Sequence, residues 1–221
     1  MKNTLYWLLP LILLALAAAL SPYIDMPLER AFYNYDTLKF TDTNLTDFIY
    51  DHGVNPGQVA GVASIIAFLL SYTRSKWKPW RKPALMLILT MAIGAGFITH
   101  TVLKDNWGRP RPKQVIEFGG KQEFRPVYKP NFLHQPEPSK SFPCGHCTMG
   151  FFFFALIFMG KRLHKPWVTY TGIVVSITLG TALAVTRMAE GGHFLTDTIA
   201  AAVIMWLTAY ACDWVLYGDE D

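Results

Sequence analysis

Runs of apolar residues separated by polar connectors give six stretches that qualify as bilayer crossings, each taking ~20 mostly apolar helical residues, or about 17 at the short end. They lie at about 5–24, 57–72, 84–103, 147–159, 167–186 and 195–217. The second is short, and the fourth is marginal unless the turn before it is also buried. The sixth carries an acid near each end, Asp197 and Asp213. The pattern predicts an all-α integral membrane bundle of six transmembrane helices, with 1–221 forming a single domain. Residues 1–21 also have features of a secretory signal peptide, with Lys2 ahead of an apolar run and Ala17, Ala18 and Ala19 behind it. The run exceeds an ordinary signal core, so it reads as a retained first helix.

Composition agrees with this picture. Of the 221 residues, 52% are hydrophobic and 16% charged, where a soluble domain has about a quarter charged. This excludes an ordinary globular core, and the hydrophobicity excludes disorder. The net charge of +4 is mildly basic. Its basic residues sit between apolar runs instead of along one exposed face, which argues against a nucleic-acid partner.

Basic residues in short loops mark the cytoplasmic side. The connector 73–83 carries Arg74, Lys76, Lys78, Arg81 and Lys82, and the connector 160–166 carries Lys161, Arg162 and Lys165, neither with an acid. Both termini are then cytoplasmic. The region 25–56, taken as the first outer loop, holds six acids against Arg30 and Lys39. The outer loop 104–146 breaks the rule, with eight Lys or Arg between Lys104 and Lys140. A site for an anionic substrate is a reason for cations there.

Three clusters fall at the outer ends of spans three, four and five. The first is Lys104 to Pro112, the second Ser141 to His146, and the third Thr186-Arg187, His193 and Asp197. They supply fixed cations, two imidazoles, a carboxylate and a glycine turn at a helix start. That inventory fits phosphoryl transfer, in which positioning and charge stabilisation do most of the catalysis. Four residues apart, His193 and Asp197 share a face if both are helical. The carboxylate can then accept from one imidazole nitrogen and leave the other as nucleophile. An acid inside the bilayer is in any case a default functional residue. Backbone N–H groups at Cys144-Gly145 can cradle phosphate oxygens at a helix start, and His146 can protonate a leaving oxygen.

Lys104 followed by six residues and Arg111-Pro112, then Pro143-x-Gly145-His146, then Arg187 with five residues to His193 and three more to Asp197, resembles the type 2 phosphatidic acid phosphatase family over residues 57–217. Vanadium haloperoxidases and bacterial acid phosphatases are similar in these motifs. The resemblance implies a lipid phosphatase that needs no metal or other cofactor. His193 would form a phosphohistidine, Asp197 orient it, and His146 serve as general acid. Lys104, Arg111 and Arg187 would hold the phosphate with the Cys144 and Gly145 backbone. Arg109 and His100 are secondary candidates. The family usually has serine where Cys144 and Thr186 stand; Thr186 keeps the hydroxyl, whereas Cys144 offers a weaker S–H donor.

The expected substrate is a membrane lipid phosphate: phosphatidic acid, phosphatidylglycerol phosphate, polyprenyl diphosphate or lipid A phosphate. The expected setting is a bacterial inner membrane with the site at the periplasmic end. Two other readings compete. Cys144-Gly145-His146-Cys147 is a C-x-x-C, the signature of a thiol-disulfide oxidoreductase, but no βαβ pattern surrounds it. A disulfide there would restrain phosphate binding. A lipid-binding or transport protein retaining the pocket is the other. Asp105 is expected to pair with Arg109, Asp213 to sit at a helix end, and His134 in a solvated loop. Phe151–Phe154 read as lipid-facing or packing residues, and Trp77, Trp80, Trp107, Trp167 and Trp214 as interfacial. The segment 115–139 is long for a structureless loop and reads as a lid over the site that contributes to headgroup choice.

Overall fold

The computed structural model describes residues 2–133 and 139–218, so His134 and part of the expected lid lie outside the described residues. Helix α1 (Lys2–Phe32) leads through a short hairpin, β1 (Tyr33–Asn34) and β2 (Lys39–Phe40), into α2 (Asn44–His52) and α3 (Asn55–Thr73). After a 3-10 stretch over Ser75–Trp80 comes α4 (Arg81–Leu89), which continues as a π-helix over Thr90–Lys104. A long loop precedes α5 (Gly145–Phe151), α6 (Phe154–Arg162), α7 (Pro166–Ala189) and α8 (Leu195–Tyr217). The all-α expectation holds, the two-residue strands being the only paired strands among the described residues.

Among the described residues, five helical stretches are long and apolar enough to cross a membrane: Thr4–Phe32, Asn44–Thr73, Ser75–Lys104, Pro166–Ala189 and Leu195–Tyr217. The chain is a multi-pass membrane protein. The expected fourth span, 147–159, is not one continuous helix: α5 and α6 are two short helices separated at Phe152–Phe153. The break falls within the run of four phenylalanines and lets each ring pack. Phe152 is buried against Ala95 and Met205, while Phe154 stacks on Phe151 and meets Trp206 edge to face. Close packing also depends on small residues, as it does where lipid supplies no hydrophobic drive between helices. A Cβ on Gly150 would lie 2.6 Å from the Gly180 backbone.

The first helix differs from expectation too. It runs eight residues beyond Ile24, so Asp25 and Glu29 belong to helix and not to an acidic outer loop. Ala17, Ser21, Asp25, Glu29 and Tyr33 recur every fourth residue and are all buried, while Leu9, Leu13, Leu16 and Leu20 are exposed. A helix in lipid turns its few polar groups to the bundle interior, and this stripe is why α1 docks along α8. At the far end, the Tyr6 ring packs with Phe158, Trp206 and Tyr210. Asp213 is buried there in an ion pair with Arg162 at 2.9 Å, a structural tie remote from the three motif clusters.

Candidate active site

The loop after α7 and the segment before α5 meet where α8 begins. His193 does not lie on a shared helical face with Asp197, because α8 starts at Leu195 and Phe194 before it is extended. His193 is 1% exposed. Its Nδ1 lies 2.5 Å from the Ser141 carbonyl but 3.8 Å from Asp197 Oδ2, beyond hydrogen-bond reach. The expected direct contact is thus replaced by a relay. The Ser141 hydroxyl donates to Asp197 Oδ2 at 2.6 Å, and the Ser141 carbonyl takes the imidazole N–H. With Nδ1 as donor, Nε2 keeps its lone pair. Burial holds the His193 imidazole down to about 4, against the opposing pull of Asp197, so the ring is neutral at ordinary pH.

Asp197 is itself clamped. Its Oδ2 accepts from the Phe194 N–H at 2.9 Å and its Oδ1 from Arg109 Nη1 at 2.5 Å. Arg109 is wholly buried and also donates to Asp25 Oδ2 at 2.7 Å, to Thr196 Oγ1 at 2.8 Å and to the Arg125 carbonyl at 2.9 Å. Asp25 in turn accepts from Ser21 Oγ at 2.6 Å, from the Thr196 hydroxyl at 2.8 Å and from the Thr196 N–H at 3.1 Å. Two carboxylates thus share one guanidinium, the fork geometry that suits arginine to buried pairs. Arg109 supports the carboxylate and does not pair with Asp105, which instead meets Lys140 at 2.6 Å. Spacing alone could not reveal Asp25 or Ser21, for which the one available signal was the polar stripe on α1; Ser141 stood in the second cluster, but its link to Asp197 did not show.

The cations gather on the other side. Lys104, Arg111, Arg187 and His100 all lie within electrostatic reach of His146. A Cβ on Gly145 would sit 2.9 Å from the His100 ring and 3.1 Å from Lys104 Nζ, so only glycine lets these groups close over the start of α5. Arg187 ion-pairs with Glu190 while its Nε is buried without a hydrogen bond. Tyr50 on α2 lies between the two halves of the cluster. Its ring stacks on His146 at 4.7 Å between centroids and faces the Arg187 guanidinium at 4.6 Å. No sequence motif marked Tyr50.

Cys144 and Cys147 form a disulfide. Cys144 caps α5, its Sγ accepting from the Cys147 N–H. The Cys144 N–H donates to the Asp197 carbonyl at 3.2 Å, which ties the start of α5 to the carboxylate-bearing turn of α8. This corrects the expectation that Cys144 offers phosphate an S–H and a backbone donor: the sulfur carries no hydrogen and the N–H is engaged. Cys212 is the free, buried cysteine. The loop ahead of this turn is tied to the bundle at Val127, whose N–H donates to Ser21 Oγ at 3.2 Å and whose carbonyl accepts from Trp107 Nε1 at 2.9 Å. Among the described residues no group of three or more His, Cys, Asp or Glu side chains is placed to hold a metal ion.

A family model described as the PAP2 superfamily matches residues 83–219, which include all three clusters. Three curated relatives share the printed name lipid A 4'-phosphatase. One, from Francisella tularensis subsp. novicida (strain U112), is 34% identical over 156 residues, covering 70% of this chain and 66% of the relative. One from Rhizobium leguminosarum is 29% identical, covering 54% of this chain and 47% of the relative. One from Rhizobium etli is 28% identical, covering 54% of this chain and 42% of the relative. The matched stretch therefore spans less than two thirds of each relative's length. No solved structure matches this chain.

Proposed function

Because the chain belongs to the PAP2 superfamily, we propose that it is a lipid phosphatase that removes a phosphate from an amphiphilic envelope lipid, with a lipid A-type phosphate the leading candidate. The relatives' shared name supports that choice among the candidate lipids. The observation that carries the reading is the buried His193 imidazole, held at Nδ1 by the Ser141 carbonyl, with its backbone N–H donating to the carbonyl of Arg187 at 3.2 Å.

His193 Nε2 attacks phosphorus and the bond to the lipid oxygen breaks. Burial, with Arg187, Lys104 and Arg111 nearby, holds the His146 imidazole down to about 4 in the free site; the substrate's phosphate charge offsets those cations and lets His146 take up the proton it then gives to that oxygen, while the phosphoryl group rests on His193. Water, deprotonated by His146, then attacks phosphorus, releasing inorganic phosphate and restoring His193. Lys104, Arg111 and Arg187 stabilise charge on the equatorial oxygens throughout. Asp197 favours the imidazole as it gains positive character, acting through Ser141.

The basic connectors 73–83 and 160–166 lie at the end opposite the site, which supports an outward-facing site and cytoplasmic termini. The broken α5–α6 segment completes a sixth crossing in this topology. A bacterial inner membrane is the proposed location. The test is phosphate release from a panel of lipid phosphates by purified protein, with His193→Ala as control. Release that survives in His193→Ala overturns the mechanism. Specific lipid binding with no release by the wild type points instead to a binding or transport protein.

A further inference from the structure

His146 has to carry a proton to the leaving oxygen in a site built of cations. Lys104, Arg111, Arg187 and His100 all act on it, and Glu190 is taken up by Arg187. Each positive neighbour opposes the proton that the reaction needs there. The bound phosphate supplies one offset, and the Tyr50 ring supplies another. That ring stacks on the His146 ring with centroids 4.7 Å apart and planes inclined by 19°. The face of an aromatic ring is electron-rich, so it favours an imidazole that gains positive charge. The stack also sets the plane of the imidazole, which decides where its nitrogens point. The same ring faces the Arg187 guanidinium at 4.6 Å. One side chain thus fixes the general acid relative to a cation that holds the phosphate.

Tyr50 reaches this place because α2 is secured at both ends. Thr43 caps its start, Oγ1 accepting from the Thr46 N–H at 3.2 Å. At its end the Gly53 N–H donates to the Ile49 carbonyl at 2.8 Å, and a Cβ on Gly53 would lie 2.8 Å from Leu183. Leu183 stands about one turn before Arg187 on α7, so this close approach seats α2 beside the guanidinium. No residue of α2 is buried, and Tyr50 is 38% exposed; the ring serves the site and not the core. All of α2 precedes the stretch matched to the family, residues 83–219.

Resting on the lipid phosphatase reading above, we propose that Tyr50 is a positioning residue for the reaction, its ring orienting His146 and favouring the proton that His146 delivers to the leaving oxygen. The ring face does this, and the hydroxyl does not.

The test uses the full chain in detergent with Tyr50→Leu, which removes the ring, and Tyr50→Phe, which keeps it. Two substrates are compared, the lipid phosphate released fastest in the panel above and nitrophenyl phosphate. The alcohol of the first leaves with a proton from the general acid, whereas nitrophenolate leaves without one. Tyr50→Leu should lose about tenfold more kcat/KM on the lipid phosphate than on nitrophenyl phosphate, as loss of a desolvated cation–π contact implies. Tyr50→Phe should recover that difference. The alkaline limb of kcat on the lipid follows the proton on His146 in the bound complex. It should move down by about one pH unit in Tyr50→Leu and stay in place in Tyr50→Phe. Equal losses on the two substrates, an unmoved limb, or a Tyr50→Phe protein as impaired as Tyr50→Leu each overturn the proposal and leave the phosphatase reading standing. Release from neither substrate by the wild type overturns both. If the wild type acts on the lipid alone, the limb and the comparison with Tyr50→Phe decide. Should Tyr50→Leu fail to fold, Tyr50→Gln at the same exposed position takes its place.

Discussion

Asp25 touches no part of the phosphate site, yet its removal should disable it. Asp25→Ala takes away one of the two carboxylates that share Arg109 and strands the donors of Ser21 and Thr196. Breaking a buried ion pair by removing one partner costs about 3–5 kcal/mol. For a chain of this size that corresponds to a drop of about 6–20 °C in melting temperature. The freed guanidinium then pulls on Asp197 alone, which shifts the Ser141–His193 relay. A misplacement of about 1 Å at a reacting group costs on the order of 100-fold, so kcat should fall by that order while KM changes little. Asp25→Asn keeps the shape and an acceptor for Thr196 and should fall between the two. The assay is thermal unfolding in detergent alongside phosphate release, with His193→Ala separating stability from chemistry. An Asp25→Ala protein melting within about 2 °C of wild type, or with kcat within about twofold, would refute the claim that α1 holds the carboxylate beside His193 in place.

Three further outcomes are expected. Burial lowers His193 from its ordinary value of 6.5 to about 4, so between those values the unfolded chain binds a proton that the native chain does not, and stability should fall as pH drops through that window. Melting curves of wild type and His193→Gln, compared across pH, should show a shallower slope in the variant; equal slopes refute this. Gly145→Ala places a Cβ 3.1 Å from Lys104 Nζ and should raise KM for lipid phosphate with the protein still folded, and an unchanged KM counts against Lys104 as a phosphate ligand. Replacing both Cys144 and Cys147 by serine opens a loop of about four residues, worth about 2 kcal/mol in the chain-entropy estimate, and should lower the melting temperature by about 4–8 °C. Phosphate release with and without reductant should differ in the wild type alone, and no difference would exclude a restraint by the disulfide.

The helical class and the approximate spans were legible along the chain because bilayer-spanning helices satisfy their backbone within one segment and announce themselves by length and hydropathy. The residues 195–217 match α8 end for end. The motif residues were legible too, since Lys104, Arg111, His146, Arg187, His193 and Asp197 stand at recognisable spacings. Three features were not. The end of α1 was placed too early, because Asp25 and Glu29 look like loop acids until a partner for them is known. The break at Phe152–Phe153 depends on where four rings find room. The direct contact between His193 and Asp197 depended on a helix that already includes His193, whereas α8 starts only at Leu195.

The sequence by itself therefore determined the membrane-spanning elements and the chemical groups available at one end of them, because both follow from local hydropathy and short-range spacing. Only the tertiary structure decided how those groups are held. Arg109 reaches Asp25 across 84 residues and Asp197 across 88, and Asp25 reaches Thr196 across 171. The four-residue stripe on α1 shows that Asp25 faces inward, but nothing in the chain shows which partner it meets. These contacts exist because polar groups buried together in a bundle must satisfy one another, and which ones meet is set by how the helices pack.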